Sequence, residues 1–280
     1  MGGTGPCSRL DKALMSAFRC SLGALALSLT CAAAQAAMVH VKFDNPIFNG
    51  VPTPWVDGVP TLPYDAVSIT YPMQGTGQPR TVSTAAGRFQ GTASNVVGVN
   101  PSIFTDSVDN LFMYCYDVYE SVGSGWDVDY TINLDGEIDR TLDFLGAVNA
   151  VLNQGKPVYD AYAWLHPTSG AMAAAVQLGI WESKYEAGGW DLGGGSFRAT
   201  GIDSGTQLHL NSFLAAIPGA ASLDGRFAMT LDAVGAQDMI TGDPPGNVPE
   251  PGVPALVGAA VAAAMWAVRR RRTALRPSPL

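Results

Sequence analysis

The stretch DGEIDRTLDFLGAVNAVLNQG, residues 135–155, is where the chain changes its period. Ile138, Leu142, Phe144, Leu145, Val148 and Val151 recur at helical spacing, and Gln154-Gly155 closes the run. Upstream, from Ala37 to about Thr131, helical signals are absent. Met38 to Phe43, Ala66 to Tyr71 and Arg80 to Ser83 read there as β-rich segments bounded by Pro, Gly, Asn and Asp. Downstream, the spacing predicts a short helix after Pro157, a helix from the Ser169 cap to about Glu186 that stops before Gly188-Gly189, and another from Thr206 to Ala216. Gly193 to Phe197 reads as a loop leading to a strand, and Arg226 to Val234 as a further strand. No internal repeat interrupts this order. The expected fold class is α+β, a β-rich N-terminal half with a helical insertion and closing strands.

The two ends have a different character. Arg9, Lys12 and Arg19 precede an apolar run from Leu22 to Ala33, and Ala34-Gln35-Ala36 is a small-x-small cleavage site. That order is the pattern of a secretory signal peptide, read here as residues 1–36. At the other end Val248-Pro249-Glu250-Pro251 is followed by an apolar run from Gly252 to Val268 and then by Arg269, Arg270, Arg271 and Arg272. The run is just long enough to cross a bilayer, and four arginines after it belong on the cytoplasmic side, which puts the main domain outside. An ordinary single-span tail anchor is the competing reading. Against it stands the Pro-Glu-Pro, where proline denies backbone donors and keeps the chain extended.

This tripartite tail resembles the PEP-CTERM sorting signal over about the last 30 residues. The resemblance implies a Gram-negative, exopolysaccharide-producing bacterium. It also implies an exosortase that recognises the Pro-Glu-Pro region and removes the helix. Signal peptidase and exosortase are then the processing partners, with an inner-membrane intermediate followed by the cell surface or extracellular matrix. The expected organisation is a signal peptide (1–36), an exported domain (37–243), a linker with a transmembrane sorting helix (244–272) and a cytoplasmic tail (273–280). Between residues 37 and 251 the chain carries 8 Lys and Arg against 23 Asp and Glu, a net charge of −15. A surface so acidic repels phosphate backbones and anionic lipid, so nucleic acid is excluded as a partner.

Three of the four cysteines, Cys7, Cys20 and Cys31, lie in the predicted signal peptide, which leaves Cys115 alone. In an oxidising compartment a solitary thiol invites unwanted oxidation or pairing. Its bland reading is an inert, buried, small apolar side chain. Its surroundings offer another. Cys115 sits in the aromatic strand Leu111-Phe112-Met113-Tyr114-Cys115-Tyr116-Asp117, and Gln177 sits in the helix Val176-Gln177-Leu178-Gly179-Ile180-Trp181-Glu182.

Together these two segments resemble the thioester domains of bacterial surface adhesins, over roughly Phe112 to Phe197. The resemblance implies that the Cys115 thiol attacks the Gln177 side-chain amide and expels ammonia. It casts Tyr114, Tyr116 and Trp181 as the dry surroundings that protect the bond. The product is an acyl donor for an amine-bearing surface or an extracellular polysaccharide. Gly179 stands where the family usually has Ala, and Val176 where it commonly has Thr. The competing reading keeps Ile180 and Trp181 as a buried helix stripe, with Gln177 bonded to a neighbouring backbone.

Other chemistry is weaker. A cysteine hydrolase needs a base, for which His166 is the best placed of His40, His166 and His209, but no protease signature surrounds Cys115. Asp127, Asp129, Asn133, Asp135, Gly136, Glu137 and Asp139 match part of a calcium-loop spacing, yet Thr131 and Leu142 occupy the positions of the strong ligands, so these read as solvated turn acids. No catalytic set, metal-ligand set or cofactor motif is expected. The sequence therefore points to a non-enzymatic surface or matrix protein, with either a reactive Cys115–Gln177 pair or an inert one.

Overall fold

A computed structural model describes residues 36–243. The signal peptide, the sorting motif Val248–Pro251, the apolar run and Arg269–Arg272 lie outside the described residues. Among the described residues no helix is long and apolar enough to cross a membrane.

The strands are β1 (Met38–Phe43), β2 (Trp55–Val56), β3 (Val59–Pro60), β4 (Tyr64–Pro72), β5 (Pro79–Gly87), β6 (Phe89–Val97), β7 (Leu111–Cys115), β8 (Asp127–Asn133), β9 (Arg198–Thr200), β10 (Met229–Asp232) and β11 (Met239–Thr241). Three helices, α1 (Asp139–Leu152), α2 (Gly170–Tyr185) and α3 (Ser204–Ala216), fall between β8 and β10, with β9 among them. The α+β class and the helical insertion are as expected. The closure is not legible in advance: β1, β6, β7, β11, β10 and β8 join in that order into a six-stranded barrel in which every neighbouring pair runs antiparallel.

The barrel follows from alternation. On β1, Val39, Val41 and Phe43 are buried while Met38, His40 and Lys42 are not; on β8 the buried pair is Tyr130 and Ile132. Residues two apart share a face, and the apolar sets of β1 and β8 turn to the same side. The acids Asp127 and Asp129 are the polar alternates of β8, not members of a turn, because β8 is an extended strand paired residue by residue with β1 from Met38↔Thr131 to Lys42↔Asp127. Both carboxylates meet His40, at 3.4 and 2.8 Å. The calcium-loop spacing is thus broken by the strand itself.

A second, three-stranded sheet, β5-β4-β9, lies apart from the barrel, and β2 and β3 form a small hairpin. The turn of that hairpin is Asp57-Gly58, both at positive φ (52° and 81°), the geometry a two-residue hairpin turn demands. The helix predicted after Pro157 is replaced by a loop and a single 3-10 turn, Ala163–Leu165. Asn153 and Asn149 hold that loop through side-chain bonds to Asp160, Ala161 and Trp164, which compete with helical pairing.

Helix α2 organises the rest. It starts at the predicted cap, with Ser169 Oγ accepting from the Met172 N–H at 3.2 Å. Of its 16 residues, 13 from Gly170 to Ser183 are buried, so it presents no solvent face and packs against α1, α3 and the β4–β5 sheet at once. Ala173, Ala174, Ala175 and Gly179 keep it thin enough to do so. Gly179 lies against the Phe144 ring of α1 so closely that a β-carbon there would overlap the ring. Phe144 is fully buried between Trp190 and Phe213 and has nowhere to retreat.

Gly179→Ala sets a helix-propensity gain of about 1 kcal/mol against an overpacking cost of about 1–3 kcal/mol. The pinned ring puts the cost at the upper end. Thermal denaturation should show Gly179→Ala to be less stable than the parent chain, whereas Ala174→Gly should lose only propensity and packing of one methyl group.

Candidate functional site

Strand β7 pairs with β6 on one edge and β11 on the other, but not along its whole length. The β6 pairing runs Gly91↔Leu111, Gln90↔Phe112, Phe89↔Met113 and stops, while β11 continues to Met239↔Cys115. At Cys115 one edge of the strand therefore loses its partner. Buried backbone groups without a partner are costly. The gap is filled by a side chain from α2. The Cys115 N–H donates to Gln177 Oε1 at 2.9 Å, and Gln177 Nε2 donates to the Cys115 carbonyl at 2.8 Å. The glutamine amide thus stands in for the next residue of β6.

The sequence pair is therefore brought together across 62 positions, in a site where Gln177 is fully buried and Cys115 is 2% exposed. The chemistry of the arrangement follows from its geometry. The N–H and C=O of one extended residue point to the same side of the strand. Bonding both to one amide places that amide beside the α-carbon that carries the thiol. The Cys115 N–H pulls on the amide oxygen and polarises the carbonyl, which is the electrophile a thiol needs. Burial first, and Asp117 second, push the Cys115 thiol well above its ordinary range, so it is held as neutral S–H.

Cys115 also lines a recess of 450 Å³ whose walls include Ile69, Tyr71, Phe89, Val118, Tyr119 and Trp181, with exposed Arg80 and Glu120 among its lining residues. Trp181, one turn beyond Gln177, lines the same recess as the thiol. Tyr114 and Tyr116 do not. They alternate with Cys115 and so lie on the other face of β7. Tyr114 stacks on Trp164 and donates to its carbonyl at 3.1 Å; Tyr116 Oη accepts from the Ile138 N–H at 2.9 Å, and its ring carries Lys184 Nζ at 3.7 Å. Both tyrosines anchor the strand from behind. The residues missed by sequence reading are the apolar side chains of β4 and of the segment after β7, together with Gln237. Gln237 Nε2 donates to the Asp117 carbonyl at 2.7 Å and so fixes the chain just past the thiol. Nothing in the spacing of these residues announces that they share a wall.

The departures from the thioester-domain pattern find physical reasons. Gly179 is dictated by Phe144, and Val176 is fully buried in the apolar core. The three histidines are engaged elsewhere: His40 with Asp127 and Asp129, His166 with Asp106 at 2.7 Å, and His209 stacked on Phe213. No hydrogen bond joins a histidine to Cys115 among the described residues.

Next to Trp181 lies Glu182, fully buried, with Oε1 accepting from the Asp191 N–H at 3.0 Å and Oε2 without a partner. Burial pushes its carboxyl up to about 7, and does the same for Glu137 and Asp243. His166 is also raised, by its hydrogen bond to Asp106. In each case the folded state keeps a proton to higher pH than the unfolded chain does. Between about pH 4.5 and 7 the folded state binds more protons, and stability falls as pH rises through that window. Melting curves should therefore give a higher Tm at pH 5 than at pH 8. In Glu182→Gln the gap between the two should narrow; an unchanged gap would remove Glu182 from the account. The chain matches no family model, no curated protein and no solved structure, so its function has to be argued from this site.

Proposed function

We propose that the chain is an exported surface or matrix protein that forms an internal thioester between Cys115 and Gln177 and uses it to attach covalently to a target. The observation that carries this reading is the double hydrogen bond that holds the Gln177 amide on the backbone of Cys115. Effective concentration replaces reactivity here: an amide is a poor electrophile, and a fixed, dry, polarised one next to a thiol is a better one.

The reaction balances without any further reagent. The Cys115 Sγ–Gln177 Cδ bond forms, the Cδ–Nε2 bond breaks, and nitrogen leaves as ammonia with the thiol proton. In the second step a primary amine or hydroxyl on a target adds to Cδ, the C–S bond breaks, and Cys115 regains its proton as a thiol. The recess beside Cys115 supports this reading, since it gives an incoming group a route to a side chain that is otherwise buried. The signal peptide and the Pro-Glu-Pro tail support delivery to the surface by signal peptidase and an exosortase, through an inner-membrane intermediate.

A second reading is favoured by the same pair of bonds. Gln177 satisfies the edge of β7 where β6 leaves, which is sufficient reason for a buried glutamine in a structural matrix protein with an inert thiol. Intact mass separates the two. Freshly purified chain should be short by one ammonia and should gain one methylamine on incubation with that amine. Cys115→Ala and Gln177→Ala should each show neither change. A full, unmodified mass with an alkylatable thiol on denaturation would leave only the structural reading.

A further inference from the structure

A second cluster of titratable groups lies just past the thiol and forms and breaks no bond in the chemistry above, although Asp117 raises the Cys115 thiol and Glu120 lines its recess. Asp117, Glu120 and Asp238 each offer a carboxylate oxygen, and these oxygens lie within 4.8 Å of one another. They line a recess of 560 Å³ together with Tyr119 and Tyr185. Three acids in proximity are ordinary on a surface, but Asp117 is not on the surface: it is 5% exposed, and its Oδ1 has no hydrogen-bond partner although it is fully shielded. Its Oδ2 accepts from the Asp238 N–H at 3.2 Å, which fixes the carboxylate and leaves Oδ1 unanswered. A buried, unpaired carboxylate oxygen is expensive.

Each of the other two acids has one oxygen tied down. Asp238 Oδ1 accepts from the Ala233 N–H at 3.0 Å, and Glu120 Oε1 from the Gly235 N–H at 3.1 Å. Each carboxylate is thereby oriented with its second oxygen free of those bonds. Lys184 lines the same recess, but its Nζ rests on the Tyr116 ring at 3.7 Å, and it forms no ion pair with the three acids among the described residues. Three carboxylates thus face a single ammonium that attracts Asp117 and Asp238 from across the recess, which leaves the cluster net negative.

We infer that Asp117, Glu120 and Asp238 form a binding site for a hard divalent cation of the Ca²⁺ type, with the buried Asp117 carboxylate as its fixed ligand. Oxygens bound to one Ca²⁺ at about 2.3–2.6 Å lie at most about 5 Å apart, which the cluster already satisfies, and water supplies the rest of the shell. The site ties together the segment after β7, which gives Asp117 and Glu120, and the β10–β11 connection, which gives Asp238. It stands whether or not the thioester forms.

The test uses the full chain with CaCl2 or MgCl2 as the only added ligand. Ca²⁺ at about 1 mM, the range of extracellular modules, should raise Tm, and EGTA should reverse the rise. Tb³⁺ bound in the recess should luminesce on tyrosine excitation, through Tyr119 and Tyr185, and Ca²⁺ should quench that signal by displacement. Glu120→Gln keeps the acceptor for Gly235 and removes only charge from an exposed side chain. It should weaken the Ca²⁺ response at least tenfold without moving the Ca²⁺-free Tm, and Asp117→Asn should abolish the response. No Ca²⁺-dependent shift by about 10 mM, well above the weakest extracellular sites, overturns the inference. So does a shift that Mg²⁺ reproduces equally and Glu120→Gln leaves unchanged, which is general screening of an acidic protein.

Discussion

A β-strand in a closed barrel has two edges to satisfy, and β7 satisfies one of them with strand only as far as Met113. Beyond that point the backbone of Cys115 is buried and owed a partner. The partner is Gln177, and it dictates where α2 must lie, since an amide can bridge an N–H and a C=O of one residue only from directly alongside. Fixing α2 at that point fixes the placing of α1 and α3, which pack on it, and of the β4–β5 sheet on which it also packs. With the Val118 N–H donating to Tyr185 Oη and Tyr114 Oη donating to the Trp164 carbonyl, that pair of hydrogen bonds joins the helical half of the molecule to the barrel. The same pair satisfies the strand edge and places an amide beside the residue that carries the thiol.

Local signals were readable wherever the physics is local. Ser169 announces the start of α2 because a hydroxyl satisfies an orphan N–H, and Gln154-Gly155 ends the α1 pattern within about two residues. β-rich composition between turn-forming residues located β1, β4 and β5. Failure came where distant residues decide. Asp127 to Asn133 looks like an acidic turn until β1 pairs with it, and the loop after Pro157 is shaped by Asn149 and Asn153 from the preceding helix. The Cys115–Gln177 contact was legible only through resemblance, because nothing in the chain between them fixes the separation of two residues 62 positions apart. The facing of Tyr114 and Tyr116 was legible in principle: side chains next to each other on a strand point oppositely.

The acidity of the domain takes two forms. Most of the described carboxylates are at least partly exposed and serve solubility, but Glu137, Glu182 and Asp243 are shielded and hold their protons toward neutrality. Glu182 shows how this arises in a helix buried at 13 of its 16 residues: almost any position of α2 is inside, whatever its polarity. Only in its last turn, at Lys184, does the helix that presents Gln177 carry a charge that is not fully buried.

The chain leaves the barrel after β8 and returns to it only at β10, although β8 and β10 are neighbours in the ring, with Asn133 opposite Thr230. All three helices and β9 lie on that excursion. This seam therefore joins residues almost a hundred positions apart, and the entropy of that loop has to be met before the seam yields any contact. Closure on this topology costs more loop entropy than any hairpin pairing in the barrel. A molecule whose ring is sealed through its helices opens and closes as one unit, so loosening the helices unseals the barrel as well.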